Sequence, residues 1–214
     1  EGDHLTEIKD KSIQLFLEEL ASHRATPGGG SAAAVMGATA AALTSMVCNL
    51  TIGKPKYSAV ESDMKALLVK SEALRENFTA MIKADVEGFN QVMQAYGLPK
   101  ESEQDKVRRT LAIQAALKEA TVVPLACAKA SAEVILLSQE AALKGNSNVV
   151  TDAGVSVVSA HAALKSSALN VYINVGSISD KEYGAETLAE LEQVLAKAEV
   201  SVEDIYQSVK RQLL

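Results

Sequence analysis

Apolar positions recur three and four residues apart along almost the whole chain, which is the period of helices that turn one face to a core. The pattern predicts an amphipathic helix over about residues 8–22, with Ile13, Phe16, Leu17 and Leu20 on one side, and an alanine-rich helix running from Ser31 until Gly53 and Pro55 stop it. Two much longer patterns follow, over about residues 58–96, closed by Gly97 and Pro99, and about 101–144, closed by Gly145. Each would reach roughly 60 Å if unbroken. Pro124 is expected to kink the second, because it removes a backbone donor and crowds the preceding turn. Helices over about residues 150–175 and 180–213 complete an all-α bundle of about six, with long central helices. The valine-rich run VTDAGVSVVSAHAAL has strand propensity, yet it lacks strict alternation and a hairpin turn. With no serine- or proline-rich linker to divide it, the chain reads as a single domain over residues 1–214.

Chemistry is sought where polar residues interrupt these stripes. Leu74, Phe78, Met81, Asp85, Phe89, Val92 and Tyr96 follow one another at steps of three and four and share a helix face, so Asp85 sits inside an apolar stripe. A carboxylate there is costly to ionise, which raises its pKa and suits a general acid or base; pairing with a cation or a helix end is the structural alternative. Between the first two helices runs Arg24-Ala25-Thr26-Pro27-Gly28-Gly29-Gly30-Ser31. Three successive glycines forfeit backbone entropy, and close approach of another group is the reason to keep them. Pro27 fixes φ before the helix and Ser31 is a natural N-cap, leaving first-turn N–H groups free for a carboxylate or phosphate ligand. A tight turn with no ligand is the plainer alternative. A second polar set comprises Asn146 and Asp152 at the start of a helix whose far end carries Asn170 and Asn174, one turn apart. Asn146 and Asp152 serve equally well as helix-start residues, and the two later asparagines as interhelical hydrogen bonders.

Composition narrows the classes. Hydrophobic residues make up 48% of the chain but aromatics only 4%, with no Trp, so the core is built from Ala, Val and Leu and its helices pack closely. A mean hydropathy of +0.07 leaves an apolar surplus that is most simply hidden at a subunit interface, and a homo-oligomer is expected. The net charge of −6 argues against a nucleic-acid surface. Lys54, Lys56, Lys100, Lys106, Arg108 and Arg109 are candidates for holding an acidic small molecule, or are solvated helix ends. Cys48 and Cys127 form no C-x-x-C and read as buried thiols of a reducing compartment; no export leader is recognised, and a cytoplasmic location is expected. The apolar run over about residues 32–52 is interrupted by Thr39, Thr44, Ser45, Asn49 and Thr51, which fits a buried helix better than a membrane span. His4, His23 and His161 lack metal-ligand spacing and His161 reads as a satisfied core residue, so no metal is expected. Gly53-Lys54-Pro55 is not a P-loop, and no strand precedes the glycine triplet as a dinucleotide fingerprint requires.

Five segments, ATPGGGSAAA, SMVCNLTIGKPKY, DVEGFNQVMQAYGLPK, GNSNVVTDAGV and ALNVYIN, together resemble the formiminotransferase-cyclodeaminase C-terminal family, in the same order and over nearly the whole chain from about Ile13. The resemblance implies an all-α bundle that dimerises, and an enzyme that is either a methenyltetrahydrofolate cyclohydrolase or a formimidoyltetrahydrofolate cyclodeaminase. The wording of the second, third and fifth segments is most similar to stand-alone cyclohydrolases. The family's acid–base Asp, in a D-x-E-x-F pattern, falls on Asp85, with Glu87 and Phe89 matching; Ala25 stands where the family commonly has Pro. On this reading the substrate is a tetrahydrofolate derivative and no prosthetic group is needed. Expected substrate-binding residues are Pro27, Gly28, Gly29, Gly30, Ser31, Lys54, Asn146, Asp152 and Asn170, with the glycine loop against the pterin or benzoate and lysines on the glutamate tail. A helical module that binds folate without catalysis is the alternative from another class.

Overall fold

Six α-helices and three short 3₁₀ turns carry the chain in the computed structural model, which describes residues 6–214. The helices are α1 (Ile13–Leu20), α2 (Gly29–Asn49), α3 (Glu61–Tyr96), α4 (Glu103–Lys144), α5 (Val150–Gly176) and α6 (Lys181–Leu213). Helix α2 lies against α3 and α5, and α4 against the same two, so these four close a ring to which α6 adds by packing on α5 and α4. Their boundaries follow the sequence signals closely. Ser102 and Asp105 form a reciprocal capping box at the start of α4, and the Asp180 carboxylate caps α6 by accepting from the Tyr183 N–H.

Helix α2 is the centre of the bundle, and its small residues are the reason. Ala33, Ala34, Gly37, Ala40 and Ala41 are all buried, which lets neighbouring backbones approach. The ring of Phe78 on α3 fills the space where a Cβ on Gly37 would be. Where α2, α4 and α5 meet, the hydroxyls of Thr44, Ser138 and Ser156 bond one another at 2.7–2.9 Å, and Ser156 also donates to the Ala40 carbonyl at 2.7 Å, so this buried polar knot is satisfied. The main core runs along α2, α3, α4, α5 and α6. A satellite of Val92, Ala95, Ile113, Leu117 and Ile178 lies apart from it at one end.

Two expectations need correction. The first helix does not run from Ile8 to Ser22: Ile8–Asp10 is a 3₁₀ turn, and Ser12 starts α1 afresh by accepting from the Leu15 N–H. Helix α1 buries none of its residues, and Ile13 is 81% exposed, so its apolar side faces no core within this chain. Ser31 is not the N-cap of α2: Gly28 is, in an extended conformation, and Ser31 is the third helical residue with its side chain buried. A carboxylate from another helix stands before that first turn, so the helix end is served from outside the local sequence. Helix α4 runs from Glu103 to Lys144 with Pro124 inside it. By length and composition alone α2 and α4 could cross a membrane, but both pack against at least three other helices here.

Candidate active site

A cavity of about 360 Å³ opens where the start of α2 meets the second half of α3, the middle of α4 and the end of α5. The size suits a small organic ligand. The α3 stripe explains its position. Leu74, Phe78 and Met81 belong to the main core, but from Asp85 onward the same face leaves that core, and Asp85, Phe89, Val92 and Tyr96 line the cavity instead. Phe89 and Tyr96 are therefore exposed, where the stripe alone would have buried them.

Asp85 points at the first turn of α2. Its carboxylate accepts from the Ser31 hydroxyl at 3.4 Å, a hydroxyl it shares with the Ile82 carbonyl at 3.3 Å, and also from the Ser31 backbone N–H. The carboxylate occupies the place where any Cβ on Gly30 would be. The close approach implied by the glycines is thus made, at Gly30, by a side chain of the protein itself. Gly29 is different: a Cβ there would be in ordinary contact, 3.9 Å from the Asn170 amide nitrogen. Burial pushes the Asp85 carboxyl above the usual carboxylate range, while the Ser31 hydroxyl and N–H pull it back, and burial wins. The result is a carboxyl able both to hold and to release a proton, beside helix N–H groups that favour its anion.

On the opposite wall Pro124 has an effect that its place in the sequence only half announced. Having no N–H, it leaves the Ala120 carbonyl without its helical partner, and the Asn174 side-chain amide donates to that oxygen at 3.1 Å. Asn170, one turn before, donates to the Ser166 carbonyl at 2.9 Å. Both asparagines line the cavity, with Thr26 and Ser177 adding polar atoms at its edge.

The cavity thus gathers Gly28, Gly29, Gly30, Asp85 and Asn170, with Pro27 and Ser31 buried just outside its lining. Lys54, Asn146 and Asp152 are not there. They lie at the other end of α2, a 21-residue helix about 30 Å long. Asn146 is buried and structural: its N–H donates to the Thr51 hydroxyl, its amide to the Leu50 carbonyl, and its side-chain oxygen takes the Asn148 N–H, so the capping alternative describes it. Lys54 is exposed and Asp152 half-buried in the first turn of α5. Of the other candidate cations, Arg109 is tied to a cavity residue: its guanidinium donates to the Tyr96 carbonyl at 3.0 and 3.1 Å. His161 is half-buried on Glu199, 2.9 Å away, at the α5–α6 contact rather than in the core, and His4 lies outside the described residues. Sequence spacing missed Thr26, Leu117, Ala120 and Ser177 as cavity residues; nothing local marks a wall assembled from four separate segments.

Residues 12–193 match the family model described as formiminotransferase-cyclodeaminase, and the match covers every element that builds the cavity. The chain belongs to the formiminotransferase-cyclodeaminase family. Within the family it is 55% identical over 201 residues to the methenyltetrahydrofolate cyclohydrolase of Methylorubrum extorquens, covering 94% of this chain and 97% of that protein. It is 32% identical to the formimidoyltransferase-cyclodeaminase of Sus scrofa over 88% of this chain, but spans only 35% of that longer protein. The crystal structure of formiminotetrahydrofolate cyclodeaminase from Thermotoga maritima superposes with a TM-score of 0.82 at 34% identity, over 97% of this chain and 98% of that one. The fold is therefore shared with that cyclodeaminase over nearly the full length of both chains.

Proposed function

We propose that this chain is a methenyltetrahydrofolate cyclohydrolase in which Asp85 acts as the general acid and base. The observation that carries the mechanism is a single carboxyl, raised in pKa, set at a helix N-terminus and open to a ligand-sized cavity. The identity of 55% with the Methylorubrum extorquens cyclohydrolase over nearly the full length of both proteins supports this reaction over the cyclodeaminase. In 5,10-methenyltetrahydrofolate the bridging carbon lies in an amidinium cation. The Asp85 carboxylate stabilises that cation and takes a proton from the water that attacks the carbon. The carbinolamine then opens: the C–N5 bond breaks, the carbon keeps its oxygen as a formyl group on N10, and N5 takes the proton back from Asp85. One proton is released overall. Gly28 and Gly29 leave room for the flat ring system, and Phe89, Val92 and Leu117 give it an apolar wall.

The same proposal includes a homodimer without a prosthetic group in a cytoplasmic setting. Exposed apolar residues along α1, α4 and α5 support the dimer, and two free, buried cysteines suit a reducing compartment; burial pushes the Cys48 thiol up to about 11. The relation to the Thermotoga maritima cyclodeaminase makes ammonia release the second reading. A paired assay separates them: loss of methenyltetrahydrofolate absorbance above spontaneous hydrolysis, and ammonia release from 5-formimidoyltetrahydrofolate. Fast methenyl loss without ammonia is expected. Ammonia release with slow methenyl loss reverses the assignment, and silence in both leaves a folate-binding module.

A further inference from the structure

We infer that Asn170 and Asn174 form the subsite that reads the N–H edge of the pterin ring, a specificity role that rests on the folate reading above. Each side-chain amide is turned one way only. The group facing Asn170 is the Ser166 carbonyl at 2.9 Å and the group facing Asn174 is the Ala120 carbonyl at 3.1 Å. A carbonyl cannot donate, so in each case one N–H of the amide is committed to the backbone and the side-chain oxygen is turned away from that carbonyl. For Asn174 the fixing partner exists only because Pro124 cannot supply the helical N–H to Ala120. Among the described residues neither Oδ1 accepts a hydrogen bond, and both residues line the cavity that holds Asp85 and the glycine turn. The cavity wall therefore carries two unengaged side-chain acceptors one helical turn apart, each held in a fixed orientation by one bonded N–H of its own amide. Such a wall rewards a ligand edge that presents N–H groups at both oxygens. The pyrimidine half of a tetrahydropterin does so, through N3–H and the 2-amino group. Anchoring that end leaves the methenyl carbon, at the other end of the fused rings, for Asp85.

The test compares binding of 5,10-methenyltetrahydrofolate with that of its 2-desamino-2-methyl analogue, which keeps the shape and loses the amino donors. Wild-type protein is expected to bind the analogue about tenfold to a hundredfold more weakly. Asn170→Ala is expected to weaken the parent by a similar factor and leave the analogue nearly unchanged, raising KM more than it lowers kcat. Asn174→Ala also uncovers the Ala120 carbonyl and is read together with its melting temperature. Equal wild-type binding of the two ligands overturns the inference, whatever the variants do. So does an Asn170→Ala protein that loses both ligands equally. Wild-type turnover of the parent is scored separately: turnover without discrimination keeps the cyclohydrolase and removes the subsite, while discrimination without turnover keeps the subsite and removes the enzyme.

Discussion

Asp85 is held between two opposed forces, and each can be tested at the level of one residue. Burial penalises its charge, and the Ser31 hydroxyl and N–H favour it. Because the folded-state pKa is raised, the native protein binds a proton at Asp85 more tightly than the unfolded chain does. Stability from this group is then complete below the ordinary Asp range and declines as pH rises through the raised value. At neutral pH the ionised carboxylate is a net burden that Asn would not carry. Asp85→Asn is therefore expected to melt at a higher temperature than wild type at pH 7, while turnover falls by about two to four orders of magnitude. Near-wild-type turnover would remove Asp85 from the chemistry, and a large loss of stability would make it a structural cap. Since the base must be ionised, kcat/KM of the wild type should fall on the acid side at a pH above the usual carboxylate range. Gly30→Ala displaces the carboxylate and is expected to cost roughly a hundredfold in kcat. Gly29→Val instead intrudes on the ligand's space and is expected to raise KM with little change in melting. Asp85 was legible because it breaks an apolar stripe. Its partner was not: Ser31 is 54 residues away, and periodicity records which face a residue is on, not which helix that face will meet.

At the scale of elements, two glycines seven residues apart set how α2 lies on α3. Gly30 receives the Asp85 carboxylate and Gly37 the Phe78 ring, so the register that builds the site is locked two turns further along by an aromatic side chain with no room to spare. Gly37→Ala forces that ring to move and is expected to destabilise the protein by about 1–3 kcal/mol in urea unfolding. Adding Phe78→Leu should recover part of the loss, whereas independent, additive losses would mean that the contact does not set the register. The lengths and ends of α3 to α6 were readable because caps, glycines and prolines are local signals. The apolar period over residues 8–22 hides the start of α1, because Ser12 is an N-cap inside an otherwise continuous pattern. The sequence predicts a kink at Pro124, and a further consequence lies on α5, where Asn174 satisfies the carbonyl it orphans. A broken ladder in one helix became a fixed side chain on another.

For the whole molecule, an all-α bundle could be read from composition and period, but the arrangement of the site could not. The sequence offers Lys54 for the glutamate tail and Asn146 and Asp152 as a second polar set, and α2 separates all three from the glycine turn by its full length. The surface carries the remaining information. Ile13 on α1, Val107 and Leu111 on α4, and Leu169 and Ile173 on α5 are all more than 60% exposed, a load of large aliphatic side chains that a monomer would present to water. Leu169 and Ile173 stand one turn apart, and Ile173 also lines the cavity. Covering the Leu169–Ile173 strip with a second copy would hide apolar surface and narrow the mouth of the site together. Sedimentation velocity should accordingly show a species of twice the 22.6 kDa chain mass at micromolar concentration. Leu169→Asp should shift it toward monomer and raise KM, because losing the partner opens the cavity rim. A monomeric wild type with full turnover would mean that the exposed aliphatic face plays no part in the reaction.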